Sequence, residues 1–176
     1  MSLVLGAIVL APAASAWTVT MNAQPELKRT HHWAIEKSVS QTAVTLAPGQ
    51  TTDVTYSVTV SSTGATDSDW GVSGTMEMSE DPDITIGSVV FRILPEEILA
   101  SHSCMPSTFP VELGIVGLQC AYSAALPDAS DRTAWMRAVV SDPAGFRSVL
   151  VPFDFGTATV NNVDECVNVT DTMAGN

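Results

Sequence analysis

The chemistry open to this chain of 176 residues rests on three cysteines, nineteen carboxylates and three histidines. Thiols in an oxidising compartment pair into disulfides, and three of them make one bridge and one remainder. Cys120 lies in Leu118-Gln119-Cys120-Ala121-Tyr122 with the parity of Leu118 and Tyr122, which aims its side chain into a core. Cys104 sits just upstream, in an expected loop ending at Pro106. We expect a Cys104–Cys120 bridge, whose short loop is worth about 3 kcal/mol through restriction of the unfolded chain. Cys166 shares a face with Asp164, Asn168 and Thr170, opposite Val163, Val167 and Val169, and reads as exposed, free or paired with another chain. Connectivity is not legible in a sequence, so a bridge from Cys166 to either of the others stays open.

The carboxylates offer hard oxygen ligands. Asp67-Ser68-Asp69 and Asp81-Pro82-Asp83 are oxygen-rich turn sequences, so Asp67, Asp69, Asp81 and Asp83 are the candidate ligands for calcium, although neither stretch completes an EF-hand loop. No other cofactor is expected. His31 and His32 are adjacent, so on a strand they point to opposite faces and do not chelate one ion together, while His102 stands alone. The chain has no Gly-x-Ser-x-Gly elbow, no His-Glu-x-x-His, no phosphate-cradling glycine loop and no Cys-x-x-Cys, and we expect no catalytic activity.

Strands must position these groups. Thr52-Asp53-Val54-Thr55-Tyr56-Ser57-Val58-Thr59-Val60 alternates apolar and hydroxyl residues after the turn Leu46-Ala47-Pro48-Gly49-Gln50. That period predicts a half-buried strand with Val54, Tyr56, Val58 and Val60 facing a core and Thr55, Ser57 and Thr59 facing water. Further strands are predicted at 33–39, 43–46, 70–78, 84–93, 110–114, 118–126, 134–140, 146–155 and 160–170. Turns fall at Ser61-Ser62-Thr63-Gly64, Glu80-Asp81-Pro82-Asp83, Pro127-Asp128-Ala129-Ser130-Asp131 and Ser141-Asp142-Pro143-Ala144-Gly145. The apolar parity flips near Gly87-Ser88, where a bulge or break belongs. Only 95–100 is helix-like, with proline where a first turn tolerates it. The spacing predicts an all-β chain of two tandem antiparallel sandwich modules, 32–93 and 104–176, with an extended segment at 17–31 and a junction at 94–103.

Residues 1–16 carry no charge, run apolar from Leu3 to Ala11 and end in Ala14-Ser15-Ala16, the small-x-small pattern of a signal peptide cleaved before Trp17. A basic n-region is missing, and the apolar run is shorter than the ~20 residues of a spanning helix. We therefore expect a secreted or cell-surface protein, with no membrane insertion after cleavage. Nineteen acidic against seven basic residues give a net charge of −12, which repels nucleic acid and excludes it as a partner.

The ordered set Trp33-Ala34-Ile35-Glu36-Lys37-Ser38-Val39, Leu46-Ala47-Pro48-Gly49-Gln50, Trp70-Gly71-Val72-Ser73-Gly74, Cys120-Ala121-Tyr122-Ser123, Leu126-Pro127-Asp128 and Val163-Asp164-Glu165-Cys166-Val167 resembles the immunoglobulin-like or prealbumin-like repeats of large bacterial cell-surface and secreted proteins. The resemblance covers nearly all of the chain after residue 16. It implies a structural or adhesion-type spacer outside the cell, with other surface-protein domains or an extracellular polymer as partners. Some such modules form an internal amide crosslink, for which Lys37 and one of Asn161, Asn162 or Asn168 are the candidates here. Two alternatives remain at this level. One is a carbohydrate- or polymer-binding module, with Trp17, Trp70 and Trp135 as candidate platforms. The other is a filament subunit that assembles by strand addition.

Overall fold

The computed structural model describes residues 17–114, 117–141 and 145–170, and the expected signal peptide at 1–16 lies outside them. Nearly every element is a β-strand. In chain order these are β1 (Val19–Met21), β2 (Gln24–Val39), β3 (Tyr56–Met78), β4 (Thr85–Leu94), β5 (Ile98–Leu99), β6 (Ser101–Met105), β7 (Val111–Glu112), β8 (Leu118–Ala125), β9 (Arg132–Val140), β10 (Phe146–Phe153) and β11 (Thr159–Val163). A single 3-10 turn, Phe155–Thr157, is the helical element among the described residues. The expected turn of helix at 95–100 is absent; Ile98–Leu99 instead pairs with the end of β4.

The chain divides into two compact units, each assembled from several stretches. The first takes the described residues up to Ala23, Ser73–Ala124 and Arg132–Phe153; the second takes Gln24–Val72, Ala125–Asp131 and the described residues from Asp154 on. Strand pairing crosses the expected junction at 94–103, since β4 lies against β9 along most of its length.

In the first unit the two sheets of a β-sandwich present apolar faces to a common core. One sheet comprises β10, β9, β4 and β5, with β7 on the start of β4; the other comprises β6, β8, the end of β3 and β1. Period-two burial produces the core: Ala134, Met136, Ala138 and Val140 alternate with outward residues on β9, and Leu118, Cys120 and Tyr122 do so on β8. Phe91 of β4 stacks on Tyr122 of β8 with ring centroids 5.0 Å apart, which places the two layers in direct contact. Burying side chains such as Phe91, Ile86 and Met136 contributes about 1.5–3 kcal/mol each. The parity flip falls where expected, with the β4–β9 register shifting between Ile86 and Ser88. That bulge lets Ile86 and Val89 both point inward.

The second unit has a smaller core, formed by Pro25, Leu27, Gly71, Val72 and Leu126. The ring of Phe155 meets Trp70 edge-on at 5.1 Å, and Leu126 N donates to Trp70 O at 2.8 Å. Here β11 runs parallel to β2, from Thr159 against Glu26 to Val163 against Thr30, so the sheet is mixed rather than wholly antiparallel. The strand expected over 160–170 stops at Val163, because Asp164 adopts φ 56°, a left-handed conformation that breaks the ladder. The expected strand at 43–46 is irregular loop. The Pro48-Gly49 turn forms as its residues require, with Gly49 at φ 87° and Gln50 N donating to Ala47 O at 3.1 Å.

Two expectations about the alternating strand are corrected. Ser61-Ser62-Thr63-Gly64 is not a turn but part of the uninterrupted β3, because β2 supplies a partner along it. Of the side chains assigned to the core, Tyr56 is 62% and Val58 37% exposed while Val54 and Val60 are half-buried, because no second layer covers this part of β3 among the described residues.

Candidate functional site

Cys104 and Cys120 are joined, the bridge that was expected. They are direct partners in the β6–β8 ladder, so Cys104 lies on a strand and not in the loop expected for it. Cys166 is free and exposed.

Three of the four candidate calcium ligands, Asp67, Asp69 and Asp81, have side-chain partners within the protein, and Asp83 is exposed. Arg29 Nε and Nη2 donate to the two oxygens of Asp67, both at 2.7 Å, a forked contact between β2 and β3. These hydrogen bonds hold the Asp67 carboxyl below its ordinary range and raise the Arg29 guanidinium above its own. Asp69 stands 3.6 Å from Lys28 Nζ. Asp81 is buried and accepts from the backbone N of Asp83 at 3.0 Å, closing a turn on itself. Among the described residues no three His, Cys, Asp or Glu side chains converge as a metal requires.

The strand register sets Lys37 apart from Asn161 and Asn162. Asn161 lies opposite Lys28 and Asn162 opposite Arg29, leaving Lys37 roughly 26–30 Å further along β2 at ~3.3 Å per residue. Lys37 and Asn168 are both exposed, whereas the reaction needs a buried lysine beside a carboxyl. Asn162 instead meets His31 Nε2 at 3.1 Å. His32 Nε2 is 2.8 Å from Thr66 Oγ1, so the two histidines reach the strands on either side of β2. His102 is on β6, its ring 5.4 Å from that of Phe91.

Of the three candidate platforms, Trp70 packs on Phe155, Trp17 receives Arg147 over its ring at 5.2 Å, and Trp135 is half-buried on β9. Among the described residues, two exposed aromatics lie on the second unit, and a third, Phe146, is on β10. Trp33 and Tyr56, with Ile35 and Val58, line the ribbon that β2 and β3 form beyond β11. Trp33 Nε1 donates to Asp164 O at 2.8 Å, fixing the indole at the start of the segment after β11. Over 61–66 every residue of β3 is exposed. The alternation of 54–60 did reveal a strand, but a strand pattern does not say which surfaces will find a covering layer.

Sequence reasoning missed a second cluster, in the first unit. Asn22 binds β3 twice, with its N donating to Thr75 O at 3.0 Å and its Oδ1 accepting from Thr75 N at 2.8 Å, and its carbonyl accepts from Tyr122 Oη at 2.6 Å. Gly74 lies beneath this knot, and a Cβ there would meet Asn22 O and the Tyr122 ring. An isolated glycine within a strand was the available signal, since it marks close approach of another group. Burial pushes the Tyr122 hydroxyl up to about 12.

The chain matches no family model, no curated protein and no solved structure closely enough to identify a relative.

Proposed function

We propose that the chain is a structural, adhesion-type module of the cell exterior, immunoglobulin-like or prealbumin-like in character and without catalytic activity. The Cys104–Cys120 bridge carries this reading, because a disulfide buried between paired strands of a core persists in oxidising compartments. The acidic composition accords with a solvated exterior surface, and no helix among the described residues is long and apolar enough to cross a membrane. Fractionation of the producing cells tests the reading with an antibody against the folded chain. Recovery of the oxidised protein from the surface or medium supports it, and recovery of a reduced protein from inside the cell overturns it.

Exposure of Trp33 and Tyr56 on one ribbon favours a second reading, a module that holds an extracellular polymer. Pull-down on insoluble polysaccharides separates the two. Retention that is lost in Trp33→Ser and Tyr56→Ser selects the polymer-binding module, and retention unchanged by both removes it.

A further inference from the structure

We propose that the free edge of β3 over 56–66 is a self-association site, which pairs antiparallel with the same edge of a second copy of this chain across a two-fold axis. The register of β8 leaves this edge open. Leu126 N bonds Trp70 O, and Gly117 lies against Met78 O, so β8 covers β3 only from Trp70 onward. Before Trp70, among the described residues, β3 pairs on its β2 side alone. A two-stranded ribbon exposed on both faces is marginally stable in water, while joining two ribbons edge to edge gives a four-stranded sheet.

Charge selects the occupant and the edge. The chain carries −12, so most contacts between two copies bring carboxylates together. From 54 to 66 there is no charged residue and no proline, two of the devices that keep an edge from pairing. The remaining strands are short or protected. β6 and β11 have five residues each, β10 carries Arg147 and Pro152, and the outer part of β2 carries Glu36 and Lys37. Among the described residues the 56–66 edge, roughly 35 Å long at ~3.3 Å per residue, is the long one that meets its own copy with no charge in register. Ser61 is at its midpoint and therefore beside the two-fold axis.

Size-exclusion chromatography with light scattering over a concentration series tests the site with three proteins: the purified chain, Ser61→Lys and Ser61→Glu. The chain is expected at the mass of two copies. Each variant places like charges across the axis and weakens the dimer by about tenfold or more, while an equimolar mixture of the two restores it. Circular dichroism and the intact mass of the disulfide-bonded chain check that both variants fold. A chain that stays monomeric at its highest soluble concentration overturns the proposal, as does dimerisation unaffected by either charge. Loss in both variants without recovery on mixing also overturns it, because opposed charges then do not meet at the axis. The proposal does not depend on where the protein resides.

Discussion

A methyl group added at Gly74 should unfasten the knot around Asn22. The new Cβ would stand 2.6 Å from Tyr122 Cε1 and 2.7 Å from Tyr122 Oη, and closer still to the Asn22 carbonyl. The carbonyl is backbone held by paired strands, so the tyrosine ring must give way, and the ring is itself stacked on Phe91. Overpacking of this kind costs about 1–3 kcal/mol. Displacing the ring also breaks the 2.6 Å bond from Tyr122 Oη to Asn22 O, a further ~1 kcal/mol. Replacing glycine in a strand returns about 0.5–1 kcal/mol of chain entropy. The expected net loss for Gly74→Ala is therefore about 1–3.5 kcal/mol, read from urea unfolding followed by tryptophan fluorescence. Tyr122→Phe should cost about 1 kcal/mol alone and less in the Gly74→Ala background, because it removes one of the colliding atoms. A Gly74→Ala midpoint equal to that of the parent chain, or strict additivity of the two substitutions, would refute the reasoning.

Three further outcomes are expected. Cys104→Ser with Cys120→Ser should lower stability by about 3 kcal/mol in the same unfolding assay, since the bridge closes a sequence separation of 16 residues. Spectrophotometric titration should find the Tyr122 phenol ionising at about 12. Its folded value lies above the unfolded one, so the stability linked to it is full below about pH 10 and is lost as the pH rises towards 12. The Asp67 carboxyl, followed by carbon NMR, should titrate below the ordinary aspartate range and move upward in Arg29→Gln. The sign is opposite to that of Tyr122: stability linked to Asp67 is present above its unfolded value and is lost as the pH falls through the depressed folded one.

Much of the first unit was legible from period and parity. The runs at 84–93, 118–126 and 134–140 read as strands because each alternates residues between a core and water or another layer, and the parity flip at Gly87-Ser88 located the bulge. The parity of Cys120 likewise put one partner of the disulfide in the core. The candidate calcium ligands and the crosslinking lysine were less legible, since a carboxylate's partner depends on which strand becomes its neighbour. Arg29 faces Asp67 only because β2 lies beside β3, and Asn162 faces Arg29 only because β11 returns parallel to β2.

The sequence by itself determined that this is a β protein with a stapled core, because side-chain alternation and cysteine parity are local properties of the chain. Only the tertiary structure decided that the alternating stretch after the Pro48-Gly49 turn would remain uncovered, with Tyr56 in water and an uncharged edge left open. Alternation makes two faces and two edges. Which of them are filled depends on where β8 and β11 end, and that is fixed by pairing between residues far apart in the chain.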